Sequence, residues 1–275
     1  MSLLKSNIES ILQIISIIYR GVYDVIYGCS TKEFIFMNTS KTNKSAMVVV
    51  AHADDAEYGC SGSVAKLCAE GYQVVYVLCT DGSKGSNDLT ISPKELSTIR
   101  KQEQIEAGKV LGLKDVVFLN FEDSILEPTL ELRKAITAEI RKHKPDILIC
   151  PYPMRNLEGR GWGVGHPDHI AAGEATLSAV FPSARDHLSF PDLLEKGLQP
   201  HNVAEVWIMG HPDPDLWIDV TNYMHASINA LLEHASQVPS SREQVTQSMK
   251  ERRSLTAVGS GHDYAEAFRR IAFSR

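Results

Sequence analysis

Met47-Val48-Val49-Val50-Ala51, running directly into His52-Ala53-Asp54-Asp55-Ala56-Glu57, is the stretch on which the reading of the fold turns. Five consecutive apolar residues, three of them valine, fit a short strand covered on both faces, as in a parallel sheet. The run ends in a polar cluster, and a helical pattern follows from about Glu57 to Glu70. Gly71 closes that helix, because glycine tolerates the left-handed turn at a helix end.

The alternation continues outward. Val74–Cys79 reads as a second strand, and Ser92-Pro93 opens a helix that runs to Gly112, with proline at the favoured first-turn position. Val116–Leu119 reads as a strand, Leu130–His143 as a helix and Ile147–Cys150 as a fourth strand. A long loop then reaches Pro167, and a helix is expected from Asp168 to about Val180. Val203–Met209 and Leu216–Val220 read as two further strands; the remainder is expected to be helical, broken near Pro239 and around Gly259–Gly261. Strands joined by crossover helices imply an α/β, Rossmann-like fold, a mostly parallel sheet with helices on both faces. Ligands in such sheets bind beyond the carboxyl ends of the strands.

Upstream, Ile8, Ile11, Leu12, Ile15, Ile18, Tyr19, Val22 and Tyr23 follow the i, i+3, i+4 rhythm of an amphipathic helix. A polar stretch, Asn38–Lys44, separates it from the main body. The expected organisation is therefore residues 1–45 as an appended helix and linker and residues 46–275 as the main domain. The appended helix would dock on the body or on a second subunit, so a homo-oligomer is one possible assembly.

The 275 residues allow a sizeable core without staples, and 43% hydrophobic with 23% charged content is ordinary for a soluble protein. Net charge is −6, with Lys and Arg scattered, which excludes an extended phosphate-tracking surface and hence nucleic acid as a partner. Arg20 and Asp24 interrupt the apolar Ile11–Ile18 segment, short of the roughly 18 residues a spanning helix needs. No transmembrane segment or signal peptide is expected. The five cysteines, Cys29, Cys60, Cys68, Cys79 and Cys150, contain no C-x-x-C pair. An odd count suits a reducing compartment, so a cytoplasmic location is expected.

The polar cluster after the first strand has a plain reading: Asp54, Asp55 and Glu57 cap the next helix, where acidic groups meet its dipole. His52 weakens that reading, because a strand-end histidine beside two carboxylates offers metal ligands at the ligand-binding edge of the sheet. His52 and Asp55, three apart across a tight turn, could converge on one ion and leave Asp54 available as a base. Gly165-His166-Pro167-Asp168-His169 is the second constellation. Its plain reading is a surface turn that starts a helix; its functional one is a metal ligand and a neighbouring acid. Each cluster just past a parallel strand, taken together, points to a site.

These residues resemble the PIG-L/LmbE-like N-deacetylase family, which carries an A-H-P-D-D-x-E type motif after strand one and an H-P-D-H motif later. The likeness extends through Thr80-Asp81-Gly82, Arg100 with Glu103, Asp123 with Leu126-Glu127-Pro128-Thr129, and the tail Tyr264-Ala265-Glu266-Ala267-Phe268-Arg269, covering about residues 46–275. The resemblance implies a metal-dependent hydrolase that removes an N-acetyl group from an N-acetylglucosamine-type sugar or conjugate. It implies zinc held by His52, Asp55 and His169, with Asp54 as general base; the same ligands accept ferrous iron. By the same resemblance His166, kept cationic by Asp168, stabilises the oxyanion, Asp168 orients it, and Arg100 and Asp123 contact the sugar. Ala53 stands where the family has proline, and Val164 stands where some relatives have a tyrosine. The appended helix inherits no role.

Of the other candidates, His211 sits in an echo of the second motif whose second histidine position is Pro214, and reads as a turn residue. His225 and His234 are expected to be structural or exposed, and Trp162 and Arg155 to line the substrate mouth. The rival readings are an amidase for a larger N-acyl group, a metal-binding protein without catalysis, and a nucleotide-binding module. The last is disfavoured because no G-x-G-x-x-G turn follows the first strand.

Overall fold

The computed structural model describes residues 44–155, 165–238 and 240–273. The appended helix, most of its linker, Cys29, Trp162 and Val164 lie outside the described residues. Strands β1 (Ser45–Val50), β2 (Gln73–Thr80), β3 (Asp115–Phe121), β4 (Ile147–Pro151), β5 (Glu205–Met209), β6 (Leu216–Asp219) and β7 (Ala265–Ala272) form a sheet in the order β3-β2-β1-β4-β5-β7-β6. The pairs among β1 to β5 are parallel, while β7 runs antiparallel to both of its neighbours. The expected α/β, mostly parallel architecture is present, and the winding reverses between β1 and β4, the position at which such sheets open a crevice.

The crossovers are helices α1 (Asp55–Ala69), α2 (Pro93–Leu111), α3 (Leu130–His143) and α4 (Pro167–Ser178), followed by the short α5 (Pro191–Glu195), α6 (Met224–Leu232) and α7 (Arg242–Ala257). Local chemistry sets their limits. Ser92 and Glu95 form a capping box at the start of α2, Pro93 occupies its first turn, and Gly112 ends it in the left-handed conformation. Alternate residues of β1 then serve two cores. Met47 and Val49 pack with Leu132, Ile136 and Ile140 of α3 and Ala171, Ala172 and Ala175 of α4. Ala46, Val48 and Val50 pack with Cys60, Val64 and Leu67 of α1 and Ala107 and Leu111 of α2. Burial on both faces explains the unbroken apolar run, since each buried valine contributes about 1.5–3 kcal/mol. Among the described residues, no helix is long and apolar enough to cross a membrane.

The tail corrects an expectation. Residues 265–272, read as helical, form β7 between β5 and β6. Alanine, glutamate and arginine favour a helix locally, but pairing with β5 on one side and β6 on the other satisfies the backbone instead, and tertiary context overrides propensity. Phe268 packs against Trp207, with ring centroids 5.6 Å apart. The buried Glu266 carboxylate accepts the backbone N–H of Gly62 at 3.0 Å and of Ser63 at 2.7 Å. Arg253 of α7 pairs with Glu266 at 2.6 Å and donates to the Tyr58 carbonyl at 2.9 Å. One ion pair thereby ties the tail and α7 to the helix that leaves β1.

Candidate active site

The carboxyl ends of β1 and β3 and the start of α4 bring the acidic and histidine residues together. Thr80 at the end of β2 holds the Ala51 carbonyl through both its N–H (2.9 Å) and its hydroxyl (2.8 Å), fixing where β1 stops. Past that point the chain turns sharply, with Asp54 at φ 81°, and α1 starts at Asp55. The Asp55 carboxylate reaches back to accept the N–H of His52 at 2.8 Å. On the facing element His166 is the N-cap of α4 and Pro167 its first residue, so His169 lies one turn in.

His52 Nδ1 and His169 Nε2 lie 3.2 Å apart. Asp55 approaches both, Oδ1 at 3.0 Å from His169 Nε2 and Oδ2 at 3.6 Å from His52 Nδ1. Two ring nitrogens and a carboxylate converging on one point are the donor types that bind a divalent cation. The other nitrogen of His52, Nε2, is held by Asp168 at 3.0 Å and Asp123 at 3.2 Å. A carboxylate on the far nitrogen fixes the tautomer and aims the near lone pair inward, the usual outer support of a metal-binding histidine. Ligand atoms of His52, His166 and His169 lie within 4.8 Å of one another, as do those of His52, Asp123 and Asp168. The second group works through His52 Nε2 and is therefore that outer support. In the first, His166 Nδ1 is already occupied, accepting the Asp168 N–H at 3.1 Å. The donor set fits a cation at His52, Asp55 and His169.

The electrostatics follow from this crowding. Burial disfavours a charged His52, but hydrogen bonds to Asp123, Asp168 and Asp55 outweigh it and push its pKa up to about 12. Burial also works against Asp55, yet His169 and His52 hold it well below the usual carboxylate range. Asp54 differs: burial, then repulsion from Asp55, raise it to about 7, against attraction from His234 and His52. Asp123 is drawn down to about 2, because His52 outweighs burial.

Two features of the second motif bear on the roles of His166 and Asp168. Burial first, then the neighbouring charge of His52, lower the His166 pKa. His166 Nδ1 accepts the Asp168 N–H, which leaves Nε2 as the ring's open nitrogen. Asp168 serves His52 more than His166: its Oδ2 lies 3.0 Å from His52, whereas His166 is 3.8 Å away. The Asp168 carboxylate is further fixed by the N–H of Ser124 (2.7 Å) and Leu126 (3.2 Å) just after β3.

The remaining candidates divide. Arg100 and Asp123 are both buried and lie 3.6 Å apart. Arg100 donates to the carbonyls of Gly82 (2.9 Å), Lys84 and Gly85 (3.3 Å), holding the loop after β2, and Asp123 also accepts the Lys84 N–H at 3.0 Å. His211 is a turn residue, accepting the Asp213 N–H at 3.0 Å and meeting Tyr152 edge-on. His225 is exposed on α6, bonded to Asn229. Arg155 donates to the Gly165 carbonyl at 3.3 Å, bridging the two sides of the loop before His166.

Sequence reasoning missed a buried layer behind Asp54. Glu57, read as a helix-capping residue, is fully buried, with Oε2 3.2 Å from Nε2 of the equally buried His234 and Oε1 accepting from Gln104 Nε2 at 3.0 Å. The available signal was Gln104 itself, which shares the inward face of α2 with Arg100, Ala107 and Leu111.

The chain is similar to known proteins over most of its length. Residues 47–180 match the family described as PIG-L, GlcNAc-PI de-N-acetylase. The diacetylchitobiose deacetylase of Thermococcus kodakarensis is 34% identical over 227 residues, 82% of each chain. A probable N-acetyl-alpha-D-glucosaminyl L-malate deacetylase 2 of Bacillus anthracis is 28% identical over 202 residues, 72% of this chain and 83% of that protein. Among solved structures, the N,N'-diacetylchitobiose deacetylase of Pyrococcus horikoshii, complexed with its inhibitor MPG, superposes with a TM-score of 0.76 at 28% identity, covering 92% of both chains.

Proposed function

Since the chain belongs to the PIG-L family of de-N-acetylases, we propose that it removes the acetyl group from an N-acetylglucosamine-type sugar or conjugate in a zinc-dependent hydrolysis. The observation that carries the reading is the approach of His52 Nδ1, His169 Nε2 and the Asp55 carboxylate to within 3.0–3.6 Å of one another, next to an uncommitted Asp54. Those three residues would hold the ion. When bound, a divalent cation there supplies Lewis acidity to water and to the amide carbonyl. Zinc suits two imidazoles and a carboxylate, and ferrous iron is the alternative for the same donors.

The chain's own groups do the rest. Asp54, with its pKa lifted to about 7 by burial and Asp55, takes a proton from the attacking water and returns it to the departing amine, as a base poised near neutrality should. His166 directs Nε2–H at the carbonyl oxygen as negative charge develops there. Asp168 positions His52 and, through its own backbone N–H, orients His166. Arg100 and Asp123 are assigned to the sugar side of the pocket, Arg100 also by holding the loop at residues 82–85. The similarity to a diacetylchitobiose deacetylase makes a short N-acetylglucosamine oligosaccharide the first substrate to test. The described cysteines, Cys60, Cys68, Cys79 and Cys150, are all free, which supports a cytoplasmic location.

The test pairs metal analysis with an assay of free amine released from N-acetylglucosamine and N,N'-diacetylchitobiose. The expected result is about one ion per chain and amine release that chelation stops and zinc restores. A metal-loaded protein that spares these substrates but cleaves longer N-acyl glucosamines would overturn the acetyl assignment.

A further inference from the structure

Asp54 is held in an unfavourable backbone conformation that its own side chain does nothing to stabilise. Its φ is 81°, and as N-cap of α1 it makes no side-chain capping bond. A left-handed conformation is unfavourable for a non-glycine residue and persists only where the surroundings impose it. Ala53, just before it, has no ring to restrict its own φ.

The surroundings impose it through one peptide group. The Ala53 carbonyl accepts from Gln237 Nε2 at 2.9 Å, and the Asp54 N–H donates to Gln104 Oε1 at 3.4 Å. These are the two ends of the same peptide unit, gripped by amides from α2 and from the turn after α6. The Gln104 amide cannot flip. Its Nε2 donates to Glu57 Oε1 at 3.0 Å, and a carboxylate only accepts, so the oxygen must face Asp54. His234 Nε2 lies 3.2 Å from Glu57 Oε2, and Glu57, Gln104 and His234 are all fully buried.

We propose that Gln104 and Gln237 are positioning residues that clamp the Ala53–Asp54 peptide, with the Glu57–His234 pair fixing the sense of the clamp, and thereby aim the Asp54 carboxylate. This rests on the assignment of Asp54 as the base. The neighbouring Asp55 turns toward the histidines because the chain reverses at Asp54; a peptide free to rotate would let both carboxylates wander toward the same charge.

The test uses Gln104→Met, which keeps the volume and removes both hydrogen bonds, and Gln237→Leu at a half-buried position. In metal-free full-length protein, exchange of the Asp54 amide hydrogen is expected to speed up about five-fold or more in Gln104→Met, as loss of one ordinary hydrogen bond implies. In metal-loaded protein each variant is expected to lower kcat by about 10- to 100-fold, the scale of a misplaced catalytic group, with KM and metal content unchanged. In an Asp54→Ala background the same substitutions should lower the residual rate no further, because the group they aim is gone. An unchanged amide exchange rate would overturn the clamp. An equal loss of rate in both backgrounds would also overturn it, showing a merely structural role. Should wild type release no amine from any N-acetylglucosamine substrate, the functional reading falls while the exchange measurement still decides the clamp.

Discussion

Asp54 and Asp55 are adjacent in the chain, yet their carboxylates are committed differently. Asp55 Oδ1 lies 3.0 Å from His169 Nε2 and its Oδ2 accepts the His52 N–H at 2.8 Å, whereas Asp54, at φ 81°, makes no capping bond. The left-handed residue reverses the chain, so neighbouring side chains diverge. Asp55→Asn is expected to lose most of its metal, a neutral amide being a poorer ligand than a carboxylate. Asp54→Asn is expected to keep its metal and lose about 10²–10⁴ in rate, the usual worth of a general base. Metal content and hydrolysis rate of the two purified variants decide this; a metal-free Asp54→Asn would reverse the roles.

His166 and His169, three apart on the start of α4, separate in the same way. His169 Nε2 faces His52 and Asp55, while His166 Nδ1 is spent on the Asp168 N–H. His169→Ala should therefore lose metal, and His166→Ala should retain it with a rate about 10²–10³ lower, as for removal of one oxyanion donor. Full metal occupancy in both variants would discard the ligand set.

The parts of the site legible in the sequence are those written contiguously. A strand buried on both faces must be apolar at every position, so Met47–Ala51 announced itself, and the turn after it could be read against the geometry of parallel sheets. The Glu57–His234 and Gln104–Asp54 contacts could not be read, because they join residues far apart in the chain; the inward face of α2 marks Gln104 as buried but not what it meets. The same reason hid the tail strand: Ala265–Ala272 has helical composition, and only the presence of β5 and β6 on its two sides makes it a strand. The Asp168 N–H on the His166 ring could not be read either, because motif spacing says nothing about which ring nitrogen a backbone N–H occupies.

Glu266 and Arg253 are expected to dominate the stability of the C-terminal half. Both are buried, and Glu266 also serves the N–H groups of Gly62 and Ser63. Glu266→Gln leaves the guanidinium without its counter-charge, and breaking a buried pair in this way costs about 3–5 kcal/mol. The measurement is the urea midpoint at unchanged m-value. Replacing both partners, Glu266→Leu with Arg253→Met, should recover part of the loss, since no charge stays buried alone. A loss below about 1 kcal/mol, the range of an exposed pair, would show that the carboxylate is not carrying the contact.

Gly173 is expected to couple packing to metal binding. It lies one turn beyond His169 on α4, and a Cβ placed there would sit 2.4 Å from the Pro151 carbonyl oxygen and 3.2 Å from backbone atoms of Pro153. Those neighbours belong to β4 and the segment leaving it, so they cannot rotate away as a side chain would, and α4 itself must move. Residues four apart share a helix face, so the displacement is passed to the side on which His169 stands. Gly173→Ala should cost about 1–3 kcal/mol, the usual penalty of overpacking, which lowers Tm by roughly 2–4 °C per kcal/mol in a protein of this size. It should also weaken metal affinity, because His169 is drawn away from His52 and Asp55. Gly59→Ala is the matched control: its Cβ would meet Met209 Sδ at 2.5 Å, a flexible side chain that can yield, and α1 need not shift. Metal titration of the two variants reads the difference. Equal affinity in both would show that the seating of α4 on β4 does not set the position of His169.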